Sequence, residues 1–234
     1  TDLTQVIAPH YDFVFTLEKN CLSFYKSLGC QKVYYLPLAA DPDIFHPKSV
    51  DAKYQTDILF IGVAFSNRLR FFDTIADYLS RKNVLFLGLD WHKLKNYHLL
   101  KQKIGKNAWT LPEETANYYN GAKIVINMHR PIHDPTINRN KIKLPALSLN
   151  PRTFEISACG AFQLTDIRPE LENFYSPGYD IATYTTPNEL MHKIDYYLSH
   201  EDERKIIATR GLNKTQTNHT FSHRISQLLN IIFD

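Results

Sequence analysis

Residues Asn150-Pro151-Arg152-Thr153-Phe154-Glu155 concentrate groups that could do chemistry. An asparagine caps the free amides of a helix, and proline is tolerated in the first helical turn. The spacing therefore predicts a helix start with unpaired N–H groups and a positive dipole end, about half an elementary charge, turned outward. Arg152 adds a full positive charge there, which makes the place suited to a diphosphate. One turn in, Glu155 can accept hydrogen bonds from two adjacent hydroxyls, as a ribose presents. The alternative is that it only complements its own helix dipole, an effect of about 0.3–1 kcal/mol. Asn150 and Arg152 are candidate catalytic groups, and Thr153 joins them as a candidate ligand contact.

Two further loops have similar potential. Gly62 ends an apolar run and permits close backbone approach. Ser66 or Asn67 can cap the helix that follows, and Arg68 offers a planar fork for phosphate. An ordinary strand-to-helix turn with a solvated arginine is the plain alternative. Asn127-Met128-His129-Arg130 ends another apolar run. Asn127 and His129 alternate with Met128, so they either face a ligand crevice or satisfy neighbouring loop backbone. His129 is a third candidate catalytic group. It does not read as half of a metal pair with His133, because Pro131 intervenes and no carboxylate-rich shell is near.

These loops need a scaffold, and the rest of the chain describes one. The 234 residues are 44% hydrophobic and 22% charged, the composition of a soluble globular protein. A net charge of +3 is far from that of a dedicated nucleic-acid binder, and the basic run from Asn138 to Lys143 reads as a solvated loop. Cys21, Cys30 and Cys159 are odd in number and lack CxxC spacing, so free thiols in a reducing, cytoplasmic setting are expected. No apolar run approaches the roughly 20 residues of a membrane span, and no signal peptide is present. The start at Thr1, without methionine, reads as a piece of a longer protein.

The first segment predicts strand, helix and strand over Tyr11–Thr16, Leu17–Ser27 and Lys32–Leu36, followed by a connector stiffened by Pro37, Pro42 and Pro47. Such a fragment cannot bury both sheet faces alone. Residues 1–48 are therefore expected to be the remnant of a partner domain with its linker, and residues 49–234 the main domain. There, strands over Asp57–Gly62, Asn83–Gly88, Lys123–Asn127, Ala161–Asp166 and Asp180–Tyr184 alternate with helices. The helices are expected over Asn67–Ser80, Trp91–Gly105, Glu113–Asn120, Phe154–Cys159, Asn188–His200, Glu201–Gly211 and Ser222–Phe233. Alternation of this kind means an α/β fold, a Rossmann-like doubly wound parallel sheet, with ligands beyond the carboxyl ends of its strands. No GxGxxG follows any strand, which argues against a dinucleotide-dependent oxidoreductase.

The run from Asn150 to Asp166 resembles the signature of the CgeB-like, spore-maturation glycosyltransferases, a branch of the GT-B group 1/4-like enzymes. Tyr184, Glu189-Leu190, Tyr196-Tyr197-Leu198, Glu203-Arg204, Ile207-Ala208, His219-Thr220-Phe221 and Arg224 look like the same family's C-terminal half. Leu36 to Pro47 is similar to its interdomain linker. The resemblance implies a two-domain GT-B fold in which residues 49–234 bind a nucleotide-sugar donor and residues 1–48 end the N-terminal, acceptor-side Rossmann-like domain. It further implies that Glu155 holds the donor ribose and that Gly62 and Arg68 face the diphosphate. The position of a first glutamate, which in related enzymes touches the transferred sugar, is Leu147. The implied activity is retaining, metal-independent sugar transfer without a cofactor, to an acceptor that is a glycan, a protein or a small molecule. The rival is a non-catalytic nucleotide-sugar-binding or structural module.

Overall fold

The computed structural model describes residues 2–133 and 142–233, so most of the basic run from Asn138 lies outside the described residues. At the N-terminus, α1 (Thr4–Ile7), β1 (Phe13–Thr16), α2 (Cys21–Ser27) and β2 (Lys32–Tyr35) form a small βαβ unit with the two strands parallel. Cys21, Tyr25, Cys30 and Val33 make its separate core. Helix α2 begins at Cys21, later than its apolar spacing predicts. The Thr16 hydroxyl instead turns the backbone at Glu18, as threonine does when it competes with helical bonding.

The proline-rich connector is packed against the body rather than suspended between domains. Ala39 and Ala40 are fully buried, Ala40 bridges Thr220, and Arg224 donates to the carbonyls of Pro37 and Leu38.

The main sheet contains β3 (Thr56–Ile61), β4 (Val84–Leu87), β5 (Ala122–Asn127), β6 (Gln163–Asp166) and β7 (Ala182–Tyr184) in the order β4-β3-β5-β6-β7, all parallel. Alternate residues of β3 explain its unbroken apolar run. Ile58 and Phe60 enter one core, which includes Phe72, Leu79, Leu190 and Ile194, whereas Leu59 and Ile61 enter a second core with Tyr119, Phe154 and Ile156. Helices α3 (Ser66–Thr74), α4 (Ala76–Ser80), α5 (Tyr97–Leu100), α6 (Pro112–Gly121), α7 (Pro151–Ala158), α8 (Pro187–Ser199), α9 (Glu201–Asn218) and α10 (Phe221–Phe233) complete the chain. Both faces are thus covered, as an all-parallel sheet requires. No helix among the described residues is long and apolar enough to cross a membrane.

Three further helical expectations are corrected. The helix over Asn67–Ser80 is interrupted at Ile75, where φ is −114° and ψ 16°. The stretch Trp91–Gly105 forms short turns around α5 instead of one helix, because the Asp73 carboxylate takes the amides of Lys95 and Asn96. Helix α9 continues through Gly211 to Asn218; glycine sits there because a Cβ would lie 2.6 Å from the Asp180 carbonyl oxygen.

Candidate functional site

Asn150 caps α7, its side-chain oxygen accepting from the Thr153 amide at 3.1 Å, and Pro151 opens the first turn. The cap is itself held in place. Asn150 Nδ2 donates to Asn127 Oδ1 at 2.8 Å, and Asn127 Nδ2 lies within reach of Asn150 Oδ1, Thr153 Oγ1 and Gln163 Oε1. Gln163 passes the chain on to the Thr153 carbonyl. Asn127 and Thr153, offered by the sequence as ligand contacts, are both engaged in this network. Both are buried and committed to an internal network, since an unpaired buried amide costs about 1–3 kcal/mol.

The start of α7 opens between two adjoining cavities. One, of about 370 Å³, lies beyond β3 and β4 and is lined by Asp41, Gly62, Trp109, Tyr119, Arg152 and Glu155, among others. The other, also about 370 Å³, lies beyond β5 and β6 and gathers Arg68, His129, Arg130, Ser148, Arg152 and Arg168. Pro151 and Arg152 belong to both walls. Burial pushes the Glu155 carboxyl above the ordinary carboxylate range, and the Arg152 charge opposes that shift. The Tyr119 hydroxyl is buried beside Glu155 and Arg152; burial and the Glu155 charge raise its pKa, and Arg152 opposes them. The strand ends are tight here. Gly88 has φ +117°, and a Cβ on it would lie 2.4 Å from the Gly62 oxygen.

The loop after β3 departs from expectation. Ser66 is exposed and does not cap: Phe65 holds the N-cap position of α3, with no side-chain cap bond. Asn67 instead donates to the His129 carbonyl at 3.3 Å. Arg68 is 2% exposed and its fork is occupied, donating to the carbonyls of Val63 and Met128 while its plane lies over Phe60 and Phe65. Two of its five N–H groups are thus engaged, and its Nε is buried without a partner. Desolvation and the nearby Arg152 charge lower its pKa to about 9, so it borders the second cavity as a buried charge that knits two loops together.

His129 lies at the end of β5 beside Asp166, the last residue of β6. Asp166 Oδ1 accepts from the His129 amide at 2.8 Å and lies 2.6 Å from Nδ1. The other ring nitrogen, Nε2, is buried without a partner. Burial lowers the His129 pKa despite the opposing charge of Asp166. Burial pushes Asp166 up, but the His129 and Arg168 interactions outweigh it and hold the carboxyl below its usual range. Arg168 spans the carbonyls of Ala146 and Arg130, 3.6 Å from Asp166.

Residues outside the sequence-derived set complete the surroundings. Asp41 comes from the connector and Tyr119 from the last turn of α6. Asp166 carries the same signal as Asn127, a polar residue closing an apolar strand. The N-terminal unit reaches the second cavity through Glu18, whose carboxylate accepts from the amides of Leu147 and Ser148 at 3.1–3.2 Å. Glu170, accepting from Tyr35 and Ser148 at 2.8 Å, reinforces this junction.

The glycosyl transferase-like family matches residues 68–230. Spore protein CgeB of Bacillus subtilis (strain 168) is 33% identical over 229 residues, covering 97% of this chain and 70% of that protein. Among solved structures, a sucrose-phosphate synthase from Thermosynechococcus elongatus superposes with a TM-score of 0.68 at 14% identity, over 99% of this chain and 61% of that one. Anabaena HepE in complex with UDP-glucose gives a TM-score of 0.68 at 8% identity, over 99% of this chain and 68% of that one. The chain thus spans about two thirds of the structures it resembles.

Proposed function

Because this chain belongs to the glycosyl transferase-like family, we propose that it is the donor-binding part of a GT-B glycosyltransferase. The reaction moves a sugar from a nucleoside diphosphate sugar to an acceptor that is a glycan, a protein or a small molecule. One observation carries this reading: the capped start of α7 opens at Arg152 between two cavities of unlike chemistry. The nucleoside enters the cavity of Glu155 and Tyr119, with Glu155 accepting from the ribose hydroxyls. The diphosphate crosses at Arg152, and the sugar extends toward His129. That the HepE structures hold UDP, glucose and UDP-glucose supports a donor of this class.

In the transfer, an acceptor group bonds to the anomeric carbon and gives up its proton while the bond from that carbon to the diphosphate oxygen breaks, so negative charge grows on the departing nucleoside diphosphate. In this reading the Arg152 side chain and the positive end of the α7 dipole stabilise that charge without a metal ion. Removing one such donor typically costs about 10²–10³ in rate. Retention of the anomeric configuration follows the family resemblance and is part of the proposal. Residues 1–48 end the acceptor-side domain, and residues 49–234 form the donor domain. Titration calorimetry of this chain with UDP, GDP and ADP and their glucose conjugates tests the reading. At least one nucleotide is expected to bind in the micromolar to millimolar range; no heat from any of them sinks it.

A further inference from the structure

The second cavity is rich in donors, and three polar atoms of its lining are buried without a hydrogen bond: Nε of Arg68, Nε of Arg168 and Nε2 of His129. Arg68, Arg130, Arg152 and Arg168 contribute cations. Both terminal nitrogens of Arg68 and of Arg168 donate to backbone carbonyls, and Arg130 lies over the Phe65 ring. A sugar presents hydroxyls, each needing an acceptor as well as a donor. His129, 3% exposed, lines this cavity. Its Nδ1 is 2.6 Å from Asp166 Oδ1, which also takes the His129 amide. A carboxylate in that position accepts, so Nδ1 must carry the ring proton. Nε2 is then a bare lone pair, and it is the ring atom without a partner. A buried acceptor left open costs free energy unless a ligand completes it.

We propose that His129 Nε2 accepts a hydrogen bond from a hydroxyl of the sugar on the donor, making His129 a specificity residue that separates nucleotide sugar from bare nucleotide. The assignment rests on the donor-cleft reading above and deepens it by giving the second cavity a polyhydroxylated occupant. The charged groups around the ring agree with a neutral acceptor. Asp166 of β6 would favour the imidazolium, but Arg168 after β6 and Arg68 of α3 oppose a second cation, and the ring is desolvated.

The test compares UDP with UDP-glucose by calorimetry on the wild-type chain, His129→Phe and His129→Gln. The phenylalanine variant keeps a ring and loses the acceptor, whereas glutamine restores a carbonyl oxygen. His129→Phe is expected to weaken UDP-glucose about tenfold, the cost of one unsatisfied hydrogen bond, with UDP unchanged and partial rescue by glutamine. Equal loss for both ligands, or no loss for either, overturns the proposal while leaving the donor cleft intact. If wild type binds no nucleotide in the wider panel, both readings fall. Ring ¹⁵N spectroscopy adds a readout independent of ligand: a neutral Nδ1–H tautomer is expected, and an Nε2–H tautomer overturns the assignment.

Discussion

The cavity beside Glu155 and the cavity beside His129 each enclose about 370 Å³ and share Arg152 as a wall, yet their linings differ in kind. The first combines the carboxyl groups of Asp41 and Glu155 with aromatic and aliphatic surface from Phe45, Ile61 and Tyr119, while Trp109 lines both. The second is cationic, with four arginines around one imidazole. An uncharged, flat, hydroxyl-bearing group suits the first, and an anion carrying a sugar suits the junction and the second. A helix start alone would not divide its surroundings in this way. The sorting comes from which strand ends flank it: β3 and β4 with the connector on one side, β5 and β6 on the other.

The largest effect expected on this division is structural. Gly88→Ala forces a methyl against the Gly62 carbonyl at the floor of the first cavity, in a left-handed conformation unsuited to alanine. Overpacking and backbone strain together should cost about 3 kcal/mol, read by denaturant unfolding; an unchanged midpoint would mean the two strand ends are not in contact. Next, Arg152→Ala should weaken UDP and inorganic pyrophosphate by about ten- to a hundredfold, as loss of a charge-assisted hydrogen bond does. Glu155→Ala should weaken UDP by about tenfold and leave pyrophosphate unaffected, because in the proposed pose only the nucleoside reaches it. If both variants weaken pyrophosphate alike, the division between cavities dissolves. The smallest effect concerns pH. Glu155 has a raised pKa in the folded protein, so the stability linked to it is fully present below the ordinary carboxylate pKa. That contribution is lost as pH rises through the raised value. Glu155→Gln should flatten this part of the stability–pH curve, and an unaltered curve would show that the carboxyl is not desolvated.

Much of the scaffold was legible because its signals are local. The unbroken apolar run of β3 announced a strand covered on both faces, and Asn150-Pro151 announced a helix start, since capping depends on only three or four adjacent residues. The stretch Trp91–Gly105 misled because a distant carboxylate, Asp73, competes for amides that periodicity assigns to a helix. The site divided along the same line. Asn127 and His129 look alike in sequence, two polar residues two apart at one strand end. Asn127 meets three partners from neighbouring elements and is saturated, whereas His129 meets Asp166 on one side only.

The amino-acid order alone determined the parallel α/β class, the cap and charge at the start of α7, and the family resemblance, all properties of contiguous residues. Tertiary structure alone decided that Arg68 is buried and its fork occupied, that Asp41 and Tyr119 stand beside Glu155, and that His129 keeps an open nitrogen. The physical reason is hydrogen-bond saturation. Whether a polar group is spent or available depends on partners brought from elsewhere in the chain, and residue type and spacing do not record those partners.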